Sequence, residues 1–204
     1  MIERKRENIQ IIKKTPLYEK FFKVDEYLLK FPLYNGGMSP LISREVMTRG
    51  KAAGVLLYDP DMERLVFVEQ IRAGAFVAGE HPWLLECVAG MIDSGETPQE
   101  VAVREAKEEA GADVSDIEPI AEYFSSPGGC SEKFFLFCGR VDSKHVASYA
   151  GLPSENEDIR IVVLSVEETE KMLAQGKFNT ALSIIAVQWF LMNKENLRKK
   201  WGMS

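Results

Sequence analysis

Several chemistries are closed to this chain by what it lacks. It has three cysteines, Cys87, Cys130 and Cys138, an odd number without CxxC spacing. That argues against a disulfide framework or a zinc knuckle and fits small, semi-buried side chains in a reducing compartment. The two histidines, His81 and His145, stand far apart, so count alone excludes a multi-histidine metal site. A basic face is missing as well. The net charge is −6, and the one basic run, Arg198-Lys199-Lys200, reads as the solvated end of a helix. A protein that tracks a nucleic-acid backbone needs the opposite balance. No apolar run is long enough to cross a bilayer. The longest, 181–192, is broken by Ser183 and Gln188, and Met1 to Arg6 lead into no apolar core of signal-peptide length. The expectations are therefore no nucleic acid, no membrane and a cytoplasmic location.

What is present is ordinary for a folded chain: 204 residues, 46% hydrophobic and 27% charged. That is enough for one sizeable domain, or one domain with a small extension. Residues 18–47 mix aromatic and β-branched residues with the turn signal Asn35-Gly36-Gly37, and read as strands and a hairpin. Residues 54–58 and 65–71 flank a Pro/Asp-rich turn and read as a second hairpin. Residues 83–88, 134–138 and 160–164 read as further strands, and 166–175 and 181–193 as helices. Helix 97–110 is the best punctuated. Thr97 and Glu100 form a capping-box pattern, Pro98 takes the first helical position, and Gly111 ends it. The elements lack the regular alternation of a doubly wound sheet, so the expected class is α+β with mixed sheets covered by helices.

The informative stretch runs from Gly90 to Ala112. At 3.6 residues per turn, Glu105 and Glu109 lie on one helix face with Glu108 beside both. Ala102, Val103, Ala106 and Ala110 fall on a different face, suited to packing, with Val101 projecting toward the carboxylate edge. The spacing i, i+4, i+8 lets Arg104 bridge Glu100 and Glu108. Three acids on one helix edge would on their own read as a solvated face. Like charges at these spacings cost a few tenths of a kcal/mol per pair, which a hard divalent cation offsets.

The surrounding residues change that reading. Gly90, Glu96, Arg104-Glu105-Ala106, Glu108-Glu109 and Gly111-Ala112 match, at every fixed position, the signature of the Nudix hydrolase superfamily. A chance match is on the order of one in a million for a chain of this length. The chain also resembles bacterial ADP-ribose pyrophosphatases from about Leu17 to the final helix. The resemblance includes Glu69-Gln70-Ile71-Arg72, Pro82-Trp83-Leu84-Leu85-Glu86, Val88-Ala89-Gly90-Met91 and Ser125-Ser126-Pro127-Gly128-Gly129. Pro127 sits sixteen residues beyond Gly111, an offset like the marker of that group. The first sixteen residues and the loop 73–80 diverge.

The resemblance implies a Nudix-type α/β/α sandwich with an N-terminal β extension. Its domains would be a dimerisation segment over 1–48 and a hydrolase domain over 49–204. It implies two or three Mg²⁺ ions, with Mn²⁺ as a substitute. Their ligands would be Glu105, Glu108, Glu109, Glu157 and the carbonyl of Ala89. Arg104 would orient the acids and Glu96 would support the loop. In the segment Ser154-Glu155-Asn156-Glu157-Asp158, Glu155 would be the general base. Arg44 and Arg72 would grip substrate phosphates, and Phe21 would stack on adenine, from a partner subunit. Met91, Ser126, Pro127 and Glu132 would line the ribose and phosphate region.

The implied reaction hydrolyses the diphosphate of ADP-ribose, and of related ADP-sugars, to AMP and ribose 5-phosphate. A GDP-mannose-type hydrolase shares the helix and the Ser-Pro-Gly-Gly stretch, and a catalytically silent nucleotide sensor is the reading from another class. The implied partner is a second copy of the chain in a homodimer with exchanged N-terminal strands. The aromatic residues over 18–34 fit such an interface and fit a private core equally well.

Overall fold

The computed structural model describes residues 4–152, 154 and 156–202. The chain forms two compact units, Met1–Gly50 with Phe124–Lys133, and Lys51–Tyr123 with Phe134–Ser204.

The first unit is a three-stranded antiparallel sheet of β1 (Gln10–Glu19), β2 (Lys23–Lys30) and β3 (Ile42–Thr48). Strand β1 begins well before the position 18 expected from sequence. Its pairing with β2 slips at Ile11/Lys13 and at Pro16/Tyr18. The second slip falls beside a proline, which cannot donate to the ladder. Strand β1 is exposed along nearly its whole length, so apolar alternation is absent there and the sequence pattern hides it. The Ser-Pro-Gly-Gly segment lies against β3: Met47 N donates to Gly129 O at 2.8 Å, and Ser131 N donates to Met47 O at 2.9 Å.

The second unit is built on a sheet of order β10-β11-β5-β4-β9-β8, with β6 added to β5 and β7 added to β4. These strands are β4 (Lys51–Asp59), β5 (Arg64–Ile71), β6 (Trp83–Glu86), β7 (Val88–Met91), β8 (Ile117–Phe124), β9 (Lys133–Arg140), β10 (Tyr149–Ala150) and β11 (Ile159–Ser165). The helices are α1 (Ala73–Val77), α2 (Pro98–Ala110), α3 (Val166–Ala174) and α4 (Ala181–Lys200).

Alternation along β4 and β5 divides the core into two layers. Val55, Leu57, Val66 and Val68 face α2 and pack with its Val101, Ala102, Ala106 and Ala110. Leu56, Tyr58, Leu65 and Phe67 face the other way, onto Leu182, Ala186, Val187 and Phe190 of α4. Helices thus cover both faces of this sheet, and the chain has the α+β class expected of it. Each fully buried Val or Leu contributes about 1.5–3 kcal/mol relative to exposure.

The stretch expected as one strand over 83–88 is two. The β4·β5 ladder ends at Leu57 and Val66. Beyond that pair, β5 takes β6 as its neighbour and β4 takes β7. Cys87 lies at the crossing, and its N–H donates to Ser183 Oγ of α4 at 3.1 Å. Helix α4 also continues past the expected residue 193 to Lys200, with Arg198, Lys199 and Lys200 in its last turn. Cations there complement the helix dipole.

Candidate active site

Helix α2 begins where the sequence says it should. The Thr97 hydroxyl accepts from Glu100 N, the Glu100 carboxylate accepts from Thr97 N at 2.8 Å, and Gly111 closes the helix with φ 64°. One consequence overturns a sequence expectation. Glu100 is engaged in the cap, so Arg104 joins the expected Glu108 to Glu96 and Glu105 in place of Glu100. Its Nε donates to Glu96 Oε1 at 3.0 Å, and its Nη1 donates to Glu105 Oε1 at 2.8 Å and Glu108 Oε2 at 3.0 Å. The packing face is also rotated. Val101 is fully buried in the core, whereas Val103 is exposed. Val101, Glu105 and Glu109 form one i, i+4, i+8 stripe, so the burial of Val101 carries the two acids inward with it.

The inward stripe meets strand β7. A Cβ built on Gly90 would stand 1.7 Å from Glu105 Oε1, so the carboxylate lies directly on the Gly90 backbone. Next to it, Ala89 N donates to Glu109 Oε2 at 3.2 Å. Glu109 is 3% exposed, a degree of burial rare for an unpaired acid. Burial pushes its carboxyl up to about 8, the charges of Glu105 and Glu157 push the same way, and the Ala89 amide and Arg72 only partly oppose them. Glu105 is also raised, chiefly by burial, with Glu108 and Glu157 adding to it against the pull of Arg104. Glu96, by contrast, is lowered, first by its hydrogen bond from Arg104. The acids of α2 and Glu157 therefore act within one electrostatic neighbourhood.

Glu157 belongs to the segment between β10 and β11. Its N–H donates to Leu152 O at 3.3 Å, and its Oε2 accepts from Leu152 N at 3.2 Å. Asn156 beside it has φ 56°. At the root of β11, Arg160 makes a two-pronged ion pair with Glu69 at 2.8 and 2.9 Å, joining that strand to β5. Glu155, the expected base, lies outside the described residues.

Among the described residues no three His, Cys, Asp or Glu side chains already gather at metal-holding distance. Like charges resist such a cluster until a cation is present, and Arg104 occupies one oxygen each of Glu105 and Glu108. The donor set nevertheless fits a hard divalent cation. It offers carboxylate oxygens only, one of them on a buried acid that carries excess negative surroundings, beside a backbone kept bare at Gly90.

Arg72 follows β5 as the N-cap residue of α1, and its side chain reaches Glu86. Met91 ends β7, half-exposed, and its carbonyl accepts from Arg104 Nη2 at 3.5 Å. The remaining expected site residues belong to the first unit. Arg44 is exposed on β3, its Nη1 donating to Ser43 O at 2.7 Å. Phe21 is 86% exposed in the β1–β2 turn, edge-on to Phe22. Ser126 and Pro127 are exposed, and Ser126 O accepts from Cys130 N at 2.9 Å. Glu132 is buried and paired with Arg49 at 3.3 Å. Arg49, Glu69, Glu86 and Arg160 drew no role from sequence. Their partners are distant in the chain, and only strand pairing brings them together.

Comparison with known proteins places these residues in context. The family described as NUDIX domain matches residues 48–189. The ADP-ribose pyrophosphatase of Escherichia coli (strain K12) is 42% identical over 197 residues, covering 97% of this chain and 94% of that protein. The ADP-ribose pyrophosphatase of Haemophilus influenzae is 38% identical over 202 residues, covering 98% and 93%. A GDP-mannose pyrophosphatase of Pectobacterium atrosepticum is 32% identical over 181 residues, covering 88% and 92%. Among solved structures, one described as an ADP compounds hydrolase superposes with a TM-score of 0.70 at 20% identity over 97% of each chain, a likeness of fold.

Proposed function

The chain belongs to the NUDIX domain family, and from that membership we propose that it hydrolyses the diphosphate bond of ADP-ribose, and of related ADP-sugars, to AMP and ribose 5-phosphate. The observation that carries this reading is the inward stripe of Glu105 and Glu109 against Gly90, within the field of Glu157 and Arg72. Such a site attracts a divalent cation and, through it, a diphosphate.

The proposed ligands are Glu105, Glu108, Glu109, Glu157 and the Ala89 carbonyl, and the proposed metal is Mg²⁺, with Mn²⁺ as a substitute, in two or three ions. When bound, the metal neutralises the diphosphate and lowers the pKa of water. The chain's own groups do the rest. Arg104 keeps Glu105 and Glu108 on the inner edge of α2. Arg72 and Arg44 hold phosphate oxygens, for which a guanidinium fork is suited. Glu155 accepts the proton of the attacking water, an assignment resting on the resemblance of its segment to the loop of ADP-ribose pyrophosphatases. Phe21 stacks on the adenine, and Met91, Ser126, Pro127 and Glu132 line the ribose and phosphate region. The segment 1–48 serves as the dimerisation element, with N-terminal strands exchanged between two copies.

GDP-mannose pyrophosphatases among the relatives support a second substrate class. The test is a panel of ADP-ribose, ADP-sugars and GDP-mannose with Mg²⁺, read as released nucleoside monophosphate. ADP-ribose should turn over fastest, and Glu109→Gln should cut that rate by orders of magnitude with an unchanged circular dichroism spectrum. Faster release of GMP from GDP-mannose would move the assignment to the second class, and an active Glu109→Gln enzyme would refute the metal assignment.

A further inference from the structure

The second unit holds an ion pair whose geometry is unlike that of a structural salt bridge. Glu86, in β6, is buried. Among the described residues its carboxylate has one ion-pair partner, Arg72, whose Nε donates to Glu86 Oε2 at 2.6 Å. A pair built for stability would more often use two parallel bonds from the guanidinium fork, as Arg160 does with Glu69. Arg72 uses its Nε alone, and among the described residues both of its Nη groups have no partner.

The backbone of Arg72 is pinned on both sides. Its N–H donates to Pro82 O at 2.8 Å, and its carbonyl accepts from Ala75 N at 3.1 Å and Phe76 N at 3.2 Å at the start of α1. With the main chain fixed, Glu86 selects the direction of the side chain. Arg72 stands near enough to the acid stripe of α2 for its charge to act on Glu109.

We propose that Glu86 is a positioning residue that locks the Arg72 guanidinium through Nε, so that its free Nη edge takes two oxygens of one phosphate of a nucleoside diphosphate sugar. The role rests on the diphosphate-hydrolase reading of the site. Without Glu86, the guanidinium loses the ion pair that holds its Nε, and the fork is no longer presented in one orientation. Glutamine at 86 keeps an acceptor for Nε–H, so it preserves the direction of the fork.

The test uses the full-length protein as wild type, Glu86→Ala, Glu86→Gln, Arg72→Ala and the Glu86→Ala/Arg72→Ala double variant. Two quantities are measured: steady-state kinetics on ADP-ribose with Mg²⁺, and calorimetric affinity for its non-hydrolysable α,β-methylene analogue. Glu86→Ala should raise KM and weaken the analogue by roughly ten- to a hundredfold, as when a group orienting a ligand-holding side chain is lost. Glu86→Gln should restore most of both, and the double variant should bind no worse than Arg72→Ala. Where the alanine variant fails to fold, Glu86→Asp, which withdraws the carboxylate by one methylene, carries the same expectation. Wild-type KM and affinity in Glu86→Ala, or an undiminished penalty in the Arg72→Ala background, would overturn the positioning role. Absence of wild-type turnover on every nucleoside diphosphate sugar would instead overturn the reading beneath it.

Discussion

A methyl group on Gly90 would occupy the space of the Glu105 carboxylate, 1.7 Å from its Oε1 and 2.1 Å from its Cδ. The side chain would have to swing off β7, while the strand could keep its pairing with β4. Gly90→Ala should therefore lose at least about a hundredfold in turnover, on the scale of a misplaced catalytic group, with far-ultraviolet circular dichroism unchanged. Retained activity would show that Glu105 acts from another position. Glu109 gives a second prediction, in pH. Its carboxyl stands at about 8 when folded, against 4.5 for the ordinary group. A raised carboxyl favours folding while protonated, so metal-free stability should fall as pH rises from 4.5 toward about 8 and level off above. A tenfold difference in proton affinity between the folded and unfolded chain corresponds to about 1.4 kcal/mol. A divalent cation binds the charged form and opposes the loss, so the gap in Tm between Mg²⁺ and EDTA should widen over that window. A gap independent of pH would mean that Glu109 does not meet the ion. These acids were legible in sequence because their spacing is local. The partners of Arg104 were legible only in part: Glu96 and Glu105 replaced Glu100, which the cap had claimed.

At the scale of elements, legibility followed the range of the forces that end each one. Helix α2 was readable to the residue, since Thr97, Pro98, Glu100 and Gly111 act within a turn of its ends. Removing the cap tests how much of that local signal the folded protein uses. Thr97→Ala should cost about 1 kcal/mol, a Tm drop of roughly 2–4 °C at this chain length. No change in Tm would mean that packing of Val101, Ala102 and Ala106 holds the first turn unaided. The break between β6 and β7 was not readable. It depends on where the β4·β5 ladder stops, at Leu57 and Val66, and on Ser183 receiving the amide of Cys87. Strand β8 went unread because all of its residues are half-buried or exposed, without the fully buried apolar run of β4 and β5. Glu86 shows the same limit within the site. It stands fourteen residues from Arg72, and only the β5·β6 register, pairing Val68 with Glu86 and Ile71 with Trp83, brings the two together.

At the scale of the whole molecule, the first unit presents more apolar surface than a solitary sheet should leave in water. Ile9, Ile11, Ile12, Leu17, Tyr18 and Phe21 are all exposed, and five of the six stand at 44–61% while Phe21 reaches 86%. Scattered exposed apolar residues need no explanation, but six within thirteen positions of one strand and its turn do. A second copy of the chain is the occupant that the proposed dimer supplies, and a strand exposed on both faces is suited to exchange. The wild-type protein should then run at twice the chain's mass in light scattering after gel filtration. Placing glutamate at both Ile11 and Ile12 charges the outer surface of β1 without touching the core of the second unit, so it should drive the protein toward the monomer while its thermal unfolding persists. If Phe21 reaches the adenine only from a partner subunit, the same double substitution should raise KM for ADP-ribose far more than it lowers kcat. A monomeric wild type with full activity would leave the apolar sheet to another partner and return Phe21 to its own chain.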